Sequence, residues 1–235
     1  MHFDIITIFP EMFPGTLGGG VVGRALSNGI WSYKTTNPRD FAKDNHRTVD
    51  DAAFGGADGQ VMMADPISKA IDSIKKPNAK IIYFSPRGKL WNQKTAREYK
   101  TASEFILLCG RYEGVDQRVI DEYEIEEISI GDYILSGGEI AAQVFIDSLI
   151  RLCDNVVRGG PDATGNESFE IGGLEWPLYT RPDEWRGRKV PDVLLSGHRG
   201  EIEKWKKERS DAITMERRPD LLLKEKGKDN GEHNK

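Results

Sequence analysis

Short apolar runs alternate with helical patterns over the first two thirds of the chain. Runs of strand length lie at residues 3–9, 61–63, 79–84, 105–109 and 126–130. Between them, residues 67–74 (ISKAIDSI) carry apolar side chains at i, i+3, i+4 and i+7, which is typical of an amphipathic helix, and residues 95–99 also have a helical pattern. Strands that alternate with helices predict an α/β fold with a parallel sheet and flanking helices.

The chain after the last of these strands falls into three parts. Residues 139–153 predict a helix with one broad apolar face and a polar stripe of Gln143, Asp147 and Arg151. Residues 154–177 are rich in Gly, Asp and Asn without periodicity, which is typical of a flexible linker or a lid. Residues 178–235 form a predicted small helical domain with a frayed tail, and its patterned segments are 190–195, 201–209 and 219–223. The first predicted domain is therefore 1–153.

Charge is distributed unevenly along the chain. The formal net charge is −5, but the acidic excess lies in the first 180 residues, and residues 181–235 carry a small excess of Lys and Arg. A surface that binds phosphate must therefore be local. Two groups of cations could supply it, although a solvated charged helix explains the second group equally well. They are Arg24, Lys34, Arg39, Lys43 and Arg47, and Arg181, Arg186, Arg188, Lys189 and residues 204–209.

Cysteine, histidine and leader patterns exclude several classes of protein. Cys109 and Cys153 stand in apolar surroundings at no metal-ligand spacing, so we expect buried, reduced thiols. The four histidines are scattered, and no metal site can be assembled from them. No leader pattern occurs at the start, and no apolar stretch reaches the ~20 residues of a membrane helix. We therefore expect a soluble, cytoplasmic protein with no metal centre and no membrane partner.

Two loops punctuated by glycine carry the strongest functional signal. CGRYEGVDQR (109–118) and SIGDYILSGGE (129–139) each follow a predicted strand. Glycine lets a backbone approach a ligand closely, and parallel sheets bind ligands beyond the carboxyl ends of their strands. Neither loop has dinucleotide-binding or P-loop spacing, so we predict a cleft for a ligand without a pyrophosphate. An ordinary turn is the alternative for any single glycine.

At these loops the chain resembles a known family. CGRYEG, SIGDY and LSGGE resemble the signature of the bacterial tRNA (guanine-37-N1) methyltransferases, members of the knotted SPOUT methyltransferase class. Further words occur in family order, and only the tail falls outside the resemblance. These words are FDIITIFPEMFP (3–14), GRA (23–25), NPRDF (37–41), VDD (49–51), SP (85–86), YTRP (179–182), VP (190–191), LLSG (194–197) and RRP (217–219).

The resemblance implies the fold, the reaction and the partners. The implied fold is an α/β parallel sheet with a C-terminal trefoil knot in the first domain, followed by a small helical domain that binds tRNA. General topology rules would not predict a knot. The implied reaction is methylation of N1 of guanosine 37 in the tRNA anticodon loop, with S-adenosylmethionine as the methyl donor. The implied assembly is a homodimer that shares the donor cleft, the linker and the tRNA-binding surfaces between two chains.

The resemblance also implies which residues bind the donor, with adenine read mostly by backbone groups. Gly137 is expected to tolerate no side chain, because its loop must approach the adenine. The implied donor-binding residues are Tyr83, Ser85, Pro86, Gly110, Tyr112, Glu113, Gly114, Ile130, Gly131, Tyr133, Leu135, Gly137 and Gly138.

Methylation at N1 of guanine needs a base and a stabiliser of negative charge. N1 carries a proton and is a poor nucleophile, so one group must accept the proton and another must stabilise charge that develops on O6. The resemblance places the stabilising arginine at Arg151. It places the base in the linker, in a sequence motif that usually ends in Asp-Ser-Phe. In this chain the corresponding residues are ESF (167–169). Glu167 is therefore the implied base, one methylene longer than usual, and Asp162 is the fallback.

The sequence differs from the family at a second place, and two other functions are alternatives to the one that the resemblance implies. In DDAAFGGADGQ (50–60), the residues Ala53, Phe54, Ala57 and Gln60 replace a proline, a tyrosine, a glycine and a methionine that are usual in the family. This loop is either a surface turn or an RNA contact. Without the resemblance, an enzyme with a nucleotide cofactor and a small substrate is the leading hypothesis, and the two cationic groups favour RNA over a small substrate. A non-catalytic RNA-binding module is favoured if Glu167 and Arg151 are dispensable.

Overall fold

The computed structural model of the protein describes residues 1–56, 58–158 and 164–226, with side chains described up to residue 222. Asp162, Ala57 and the predicted tail beyond residue 226 lie outside the described residues. The chain divides into two compact units, Met1–Gly160 and Pro161–Lys235, so the division falls within the segment predicted as a linker. No helix in the described ranges is long and apolar enough to cross a membrane.

The first unit is built on a sheet of five parallel strands. These strands are β1 His2–Ile6, β2 Ser32–Thr36, β5 Lys80–Leu90, β6 Glu104–Leu108 and β7 Glu126–Ser129. They lie in the order β2-β1-β6-β5-β7, and every neighbouring pair is parallel. A separate antiparallel pair consists of β3 Asp50–Ala52 and β4 Gln60–Met62.

Helices cover both faces of this sheet. α1 Gly20–Ser27, α3 Gln93–Tyr99 and α5 Glu139–Ile150 contribute to the apolar cluster on one face, and α2 Ala64–Ile74 and α4 Gln117–Glu122 contribute to the cluster on the other. The prediction of an α/β fold with a parallel sheet and flanking helices is therefore confirmed.

The central strand β6 explains the continuous apolar run at 105–109. Phe105 and Leu107 pack in the first cluster, whereas Ile106 and Leu108 pack in the second. Because successive side chains of a strand point to opposite faces, a strand covered on both sides must be apolar at every position. Full burial of each such side chain contributes about 1.5–3 kcal/mol to folding.

Strand β1 ends earlier than its sequence predicts. It stops at Ile6, not at residue 9. Thr7 Oγ1 donates a hydrogen bond to Glu139 Oε1 at 2.8 Å and accepts one from the backbone N–H of Phe9 at 3.0 Å. The end of β1 is thus tied to the start of α5.

Strand β5 continues further than its sequence predicts. The turn expected at residues 85–88 does not end it, and β5 runs on to Leu90. Its pairing with β7 shifts register between Phe84 and Lys89, which is typical of a bulge. Gly88 permits the close approach of the two strands, because a Cβ added there would lie 2.4 Å from the carbonyl carbon of Glu127.

The second unit contains a short hairpin and helices. The hairpin pairs β8 Glu184–Trp185 with β9 Arg188–Lys189, and the helices within the described residues are α6 Asp192–Leu195, α7 Arg199–Arg217 and α8 Pro219–Lys226. α7 is longer at both ends than the predicted segment 201–209.

The last residues of the predicted linker pack against α7. The backbone N–H of Leu174 donates to Thr214 Oγ1 at 2.9 Å, and Ser210 Oγ donates to the Leu174 carbonyl at 2.6 Å. Nearby, Lys206 Nζ lies 4.8 Å from the centroid of a Trp176 ring. Residues 174–176 therefore pack within the second unit, and the linker bounds of 154–177 stay a prediction.

Candidate active site

The carboxyl ends of β6 and β7, together with residues 83–87 in the middle of β5, line a cleft of about 1410 Å³. All thirteen residues that the resemblance implies for donor binding line this cleft. The β3–β4 hairpin forms another wall, where the side chain of Phe54 is 99% exposed. The cleft also includes three arginines that were not among the predicted residues, Arg87, Arg111 and Arg118.

The first loop is held by backbone hydrogen bonds on both sides. The Met62 N–H donates to the Gly114 carbonyl, and the Glu113 N–H donates to the Gln60 carbonyl, each at 2.9 Å. On the other side, the Gly138 N–H donates to the Gly110 carbonyl at 2.9 Å. The first loop is therefore fixed between the β3–β4 hairpin and the second loop, which pre-organises the backbone groups of the cleft.

Tyr83 lies beneath the first loop. A Cβ added to Gly110 would lie 2.6 Å from Cε2 of the Tyr83 ring, so the glycine lets the loop rest on this aromatic side chain. Burial raises the pKa of the Tyr83 hydroxyl above its usual range. Above it, Tyr112 is half-exposed with a φ of 58°, a conformation that costs a non-glycine residue energy and is concentrated at functional sites.

The second loop folds back on itself. The Gly131 N–H donates to Ser129 Oγ at 3.3 Å, and Tyr133 Oη donates to the Ile130 carbonyl at 3.2 Å. Tyr133 and Ile134 are both exposed and line the cleft. Exposed apolar side chains at a cleft are typical of a ligand-binding surface, and the aromatic ones offer flat faces to a planar ligand.

A buried ion pair connects the two loops. Arg111 Nη2 lies 3.0 Å from Glu139 Oε2, and the Glu139 side chain is fully buried. Arg111 Nη1 donates to the Ser136 carbonyl at 3.2 Å, and the guanidinium carbon lies 4.5 Å from the centroid of the Phe9 ring. Arg111 Nε has no hydrogen-bond partner among the described groups. Arg111 and Glu139 belong to the two loop sequences 109–118 and 129–139, but nothing in the sequence indicates that they pair.

The Arg111 side chain also leaves no room for a side chain at position 137. A Cβ added to Gly137 would lie 2.2 Å from Arg111 Nε and 2.5 Å from Arg111 Cδ. The sequence-based expectation gave the approach of adenine as the reason for this glycine. In the structure, the guanidinium of Arg111 already occupies the space beside it.

The implied catalytic residues lie in different units. Arg151 is the half-buried C-cap of α5, which ends at Ile150 and not at residue 153 as predicted. Glu167 belongs to the second unit, where its backbone N–H donates to the Thr164 carbonyl at 3.2 Å. The next residue is fixed as well, because Ser168 Oγ accepts from the Glu175 N–H at 3.0 Å. Glu167 therefore stands in a hydrogen-bonded turn.

The two cysteines differ in burial. Cys109 is fully buried as predicted, and this burial raises the pKa of its thiol well above the usual range. Cys153 is only half-buried, which corrects the prediction of two buried thiols, although partial burial still raises its pKa. Both shifts favour the neutral thiol, which is a poor nucleophile and a poor metal ligand. Within the described residues, no group of three or more His, Cys, Asp and Glu side chains could hold a metal ion.

The lining of the cleft suits S-adenosylmethionine, the donor that the resemblance implies. The cleft volume is above the roughly 300–1,000 Å³ typical of small-molecule sites, so its size does not exclude this donor. The loops offer backbone groups to a planar heterocycle, and the carboxylates of Asp51 and Glu113 on the wall supply negative charge for a cationic sulfonium group.

A parallel α/β sheet with a backbone-rich cleft at the carboxyl ends of its strands is a common design for enzymes that bind nucleotide-like ligands. The model of one such family, tRNA (Guanine-1)-methyltransferase TrmD, matches residues 1–224, and the chain belongs to this family. The resemblance stated from the sequence is therefore confirmed.

Relatives named tRNA (guanine-N(1)-)-methyltransferase match over nearly their whole length. The protein of Rhodospirillum rubrum is 52% identical over 217 residues, which cover 92% of this chain and 90% of the relative. The protein of Rickettsia akari is 52% identical over 229 residues, with 94% and 97% covered. The protein of Anaplasma marginale strain St. Maries is 48% identical over 236 aligned positions, with both chains covered completely.

Proposed function

We propose that this protein transfers a methyl group from S-adenosylmethionine to N1 of guanosine 37 in the anticodon loop of tRNA. Membership of the family supports the reaction on a tRNA guanine. The observation that carries the proposal is that all thirteen residues implied for donor binding line one cleft, which lies at the carboxyl ends of β6 and β7 and beside the middle of β5. Because tRNA is the substrate, we place the enzyme in the cytoplasm.

The two glycine loops hold the donor in this proposal. Backbone groups of both loops bind the adenine, and the exposed rings of Tyr112 and Tyr133 enclose it. Glu113 faces the positive charge of the sulfonium group. When bound, S-adenosylmethionine supplies an already activated methyl group, so the protein's own task is to orient the reactants and to manage one proton and one charge.

Glu167 and Arg151 carry out that task. The Glu167 carboxylate accepts the proton of guanine N1 while the new bond forms between N1 and the methyl carbon. The Arg151 guanidinium stabilises the negative charge that develops on O6 as the proton leaves. The bond between sulfur and the methyl carbon breaks, and its electron pair remains on sulfur as a neutral thioether. Proton, charge and methyl group are therefore all accounted for.

We also propose the assembly and domain roles that the resemblance implies. The first domain, 1–153, holds a trefoil knot formed around the second loop and α5, the linker 154–177 delivers the base, and residues 178–235 bind tRNA. A second copy of the chain covers the outer face of α5. This assignment is supported by Ile140 and Val144, which lie four residues apart on α5 and are 49% and 42% exposed.

Mixed dimers are expected to restore activity if each site takes its arginine and its carboxylate from different chains. Arg151→Ala and Glu167→Gln are each expected to be inactive alone. In a dimer with one chain of each kind, one site is intact and the other lacks both groups. Random exchange makes half of the dimers mixed, so about a quarter of the wild-type rate should return. Single-turnover assays before and after subunit exchange measure this. No recovery, or a monomer in ultracentrifugation at assay concentration, would contradict a shared site.

Two anticodon stem-loops that differ only at position 37 test the proposed substrate. Incubation with methyl-labelled donor is expected to label the stem-loop with guanosine 37 and to leave the one with adenosine 37 unlabelled. Adenine presents neither a proton at N1 nor an oxygen at position 6, so both catalytic groups lose their function. Equal labelling of the two RNAs, or labelling of neither, would contradict the proposal.

A further inference from the structure

The β8–β9 hairpin of the second unit has an unusual residue at the first position of its turn. Glu184 pairs with Lys189, and Trp185 pairs with Arg188, so the loop contains only Arg186 and Gly187. Both loop residues have positive φ, 51° and 76°. This is the pattern of the turns that join two-residue hairpins, where Asn-Gly is strongly preferred. Arginine is rare at positive φ, and such outliers concentrate where function keeps them.

The side chains of this hairpin contribute nothing to a core. Every residue from 184 to 189 is exposed, including Trp185 at 57%. An isolated two-stranded hairpin is marginally stable in water, so an all-exposed hairpin with a disfavoured turn residue gains little for folding. Folding alone therefore gives no reason for either the exposed tryptophan or the arginine.

The exposed side chains combine an aromatic surface with cations. The guanidinium carbon of Arg186 lies 4.8 Å from the centroid of the Trp185 ring, which is a cation–π contact. Arg188 and Lys189 follow on β9, and Lys189 Nζ is 3.9 Å from Glu184 Oε2, so that ion pair is loose and solvated. An aromatic ring beside several cations is the pattern by which proteins bind unpaired nucleotides, through base stacking and phosphate contacts.

We propose that the β8–β9 hairpin is an RNA-docking element, in which Trp185 stacks on an unpaired base of the tRNA and Arg186 contacts an adjacent phosphate. The proposal rests on the proposed function, because it takes tRNA as the ligand. It adds the element and the side chains that bind it. Arg186 holds one side of the indole ring and keeps it oriented, and the exposed remainder of the ring is free to stack.

Arg186→Asn separates binding from folding. Asparagine is favoured at positive φ, so the hairpin should be kept or stabilised, while the cation is lost. At about 0.1 M salt, affinity for a full-length tRNA transcript should fall about fivefold, and the slope of log K against log salt should become shallower by about 0.7. Lys94→Gln is the matched control, because it removes one exposed cation from α3 in the first unit. It should leave both quantities unchanged.

Trp185→Ala tests stacking in the same titrations. The loss of one stacked base should weaken binding about 5- to 150-fold, and Trp185→Phe should recover most of it. Donor affinity, measured by calorimetry, should stay at the wild-type value in every hairpin variant.

If the wild-type protein binds and methylates tRNA but Arg186→Asn and Trp185→Ala bind it equally well, the hairpin proposal is wrong and the proposed function stands. If wild type does not bind tRNA, both fail. A change in dimerisation without a change in tRNA affinity would assign the hairpin to a protein contact and overturn the proposal.

Discussion

Replacing Glu167 with glutamine is expected to slow single-turnover methylation by about 10²–10⁴-fold, the usual contribution of a positioned base. Glutamine keeps the size of the side chain and some of its hydrogen bonding but cannot accept the N1 proton. Donor affinity should therefore be unchanged and RNA affinity nearly so. Rapid-quench assays with saturating donor and RNA measure the rate, and calorimetry measures the two affinities.

Three further variants identify the carboxylate. Glu170→Gln is the matched control, because Glu170 lies in the same turn and its N–H donates to the Glu167 carbonyl at 3.1 Å. It should keep the wild-type rate. Glu167→Asp should recover part of the loss, since it restores the usual family residue in a linker adapted to the longer one. If Glu167→Gln stays within a few-fold of wild type and Asp162→Asn is inactive, the base is Asp162. If both are active, the carboxylate mechanism is wrong.

Gly137→Ala is expected to abolish donor binding at concentrations that saturate the wild type. The new methyl group cannot coexist with Arg111 Nε at 2.2 Å, so the guanidinium must leave its place beside the buried Glu139 carboxylate. Removing one partner of a buried ion pair typically costs about 3–5 kcal/mol, so the free energy of unfolding should fall by a similar amount. Thermal unfolding and calorimetry measure these effects. Gly200→Ala is the matched control, because no heavy atom lies within 4 Å of its added Cβ.

A double variant separates the two explanations of Gly137. If the Arg111 guanidinium is what excludes a side chain at position 137, adding Gly137→Ala to an Arg111→Ala chain should cost little further stability, because the clashing side chain is gone. The two changes would then be strongly non-additive, as expected for residues in contact. Additive losses would contradict the clash with Arg111 as the cause. Full stability of Gly137→Ala with donor binding lost would instead mean that the close approach of adenine excludes a side chain there.

The sequence predicted well those features that depend on residues close together in the chain. The two loops were predictable because glycine marks close backbone approach within a few residues, and β6 because burial on both faces demands a continuous apolar run. The β2 strand was missed, since SYKTT lies at the sheet edge and is only partly buried.

Contacts between distant segments could not be predicted from the sequence. The register shift in β5 depends on backbone contact between Gly88 and Glu127. The Arg111–Glu139 ion pair depends on two loops that meet only after β5, β6 and β7 have paired. Thr7, which completes that network, is 132 residues from Glu139 in the chain. No periodicity or motif in the sequence indicates such pairings. Arg111 and Glu139 were therefore assigned to the two loops but not predicted to pair with each other.

Nucleoside analysis of a tRNA transcript methylated by the wild-type protein tests the proposed reaction most directly. The transcript is incubated with S-adenosylmethionine, fragmented around position 37, digested to nucleosides and analysed by chromatography with mass spectrometry. The expected product is N1-methylguanosine, found at position 37 alone. A methyl group on the exocyclic amine or on the ribose 2′-oxygen of that nucleotide, or on any other nucleotide, would contradict a mechanism in which a carboxylate takes the N1 proton and an arginine stabilises O6.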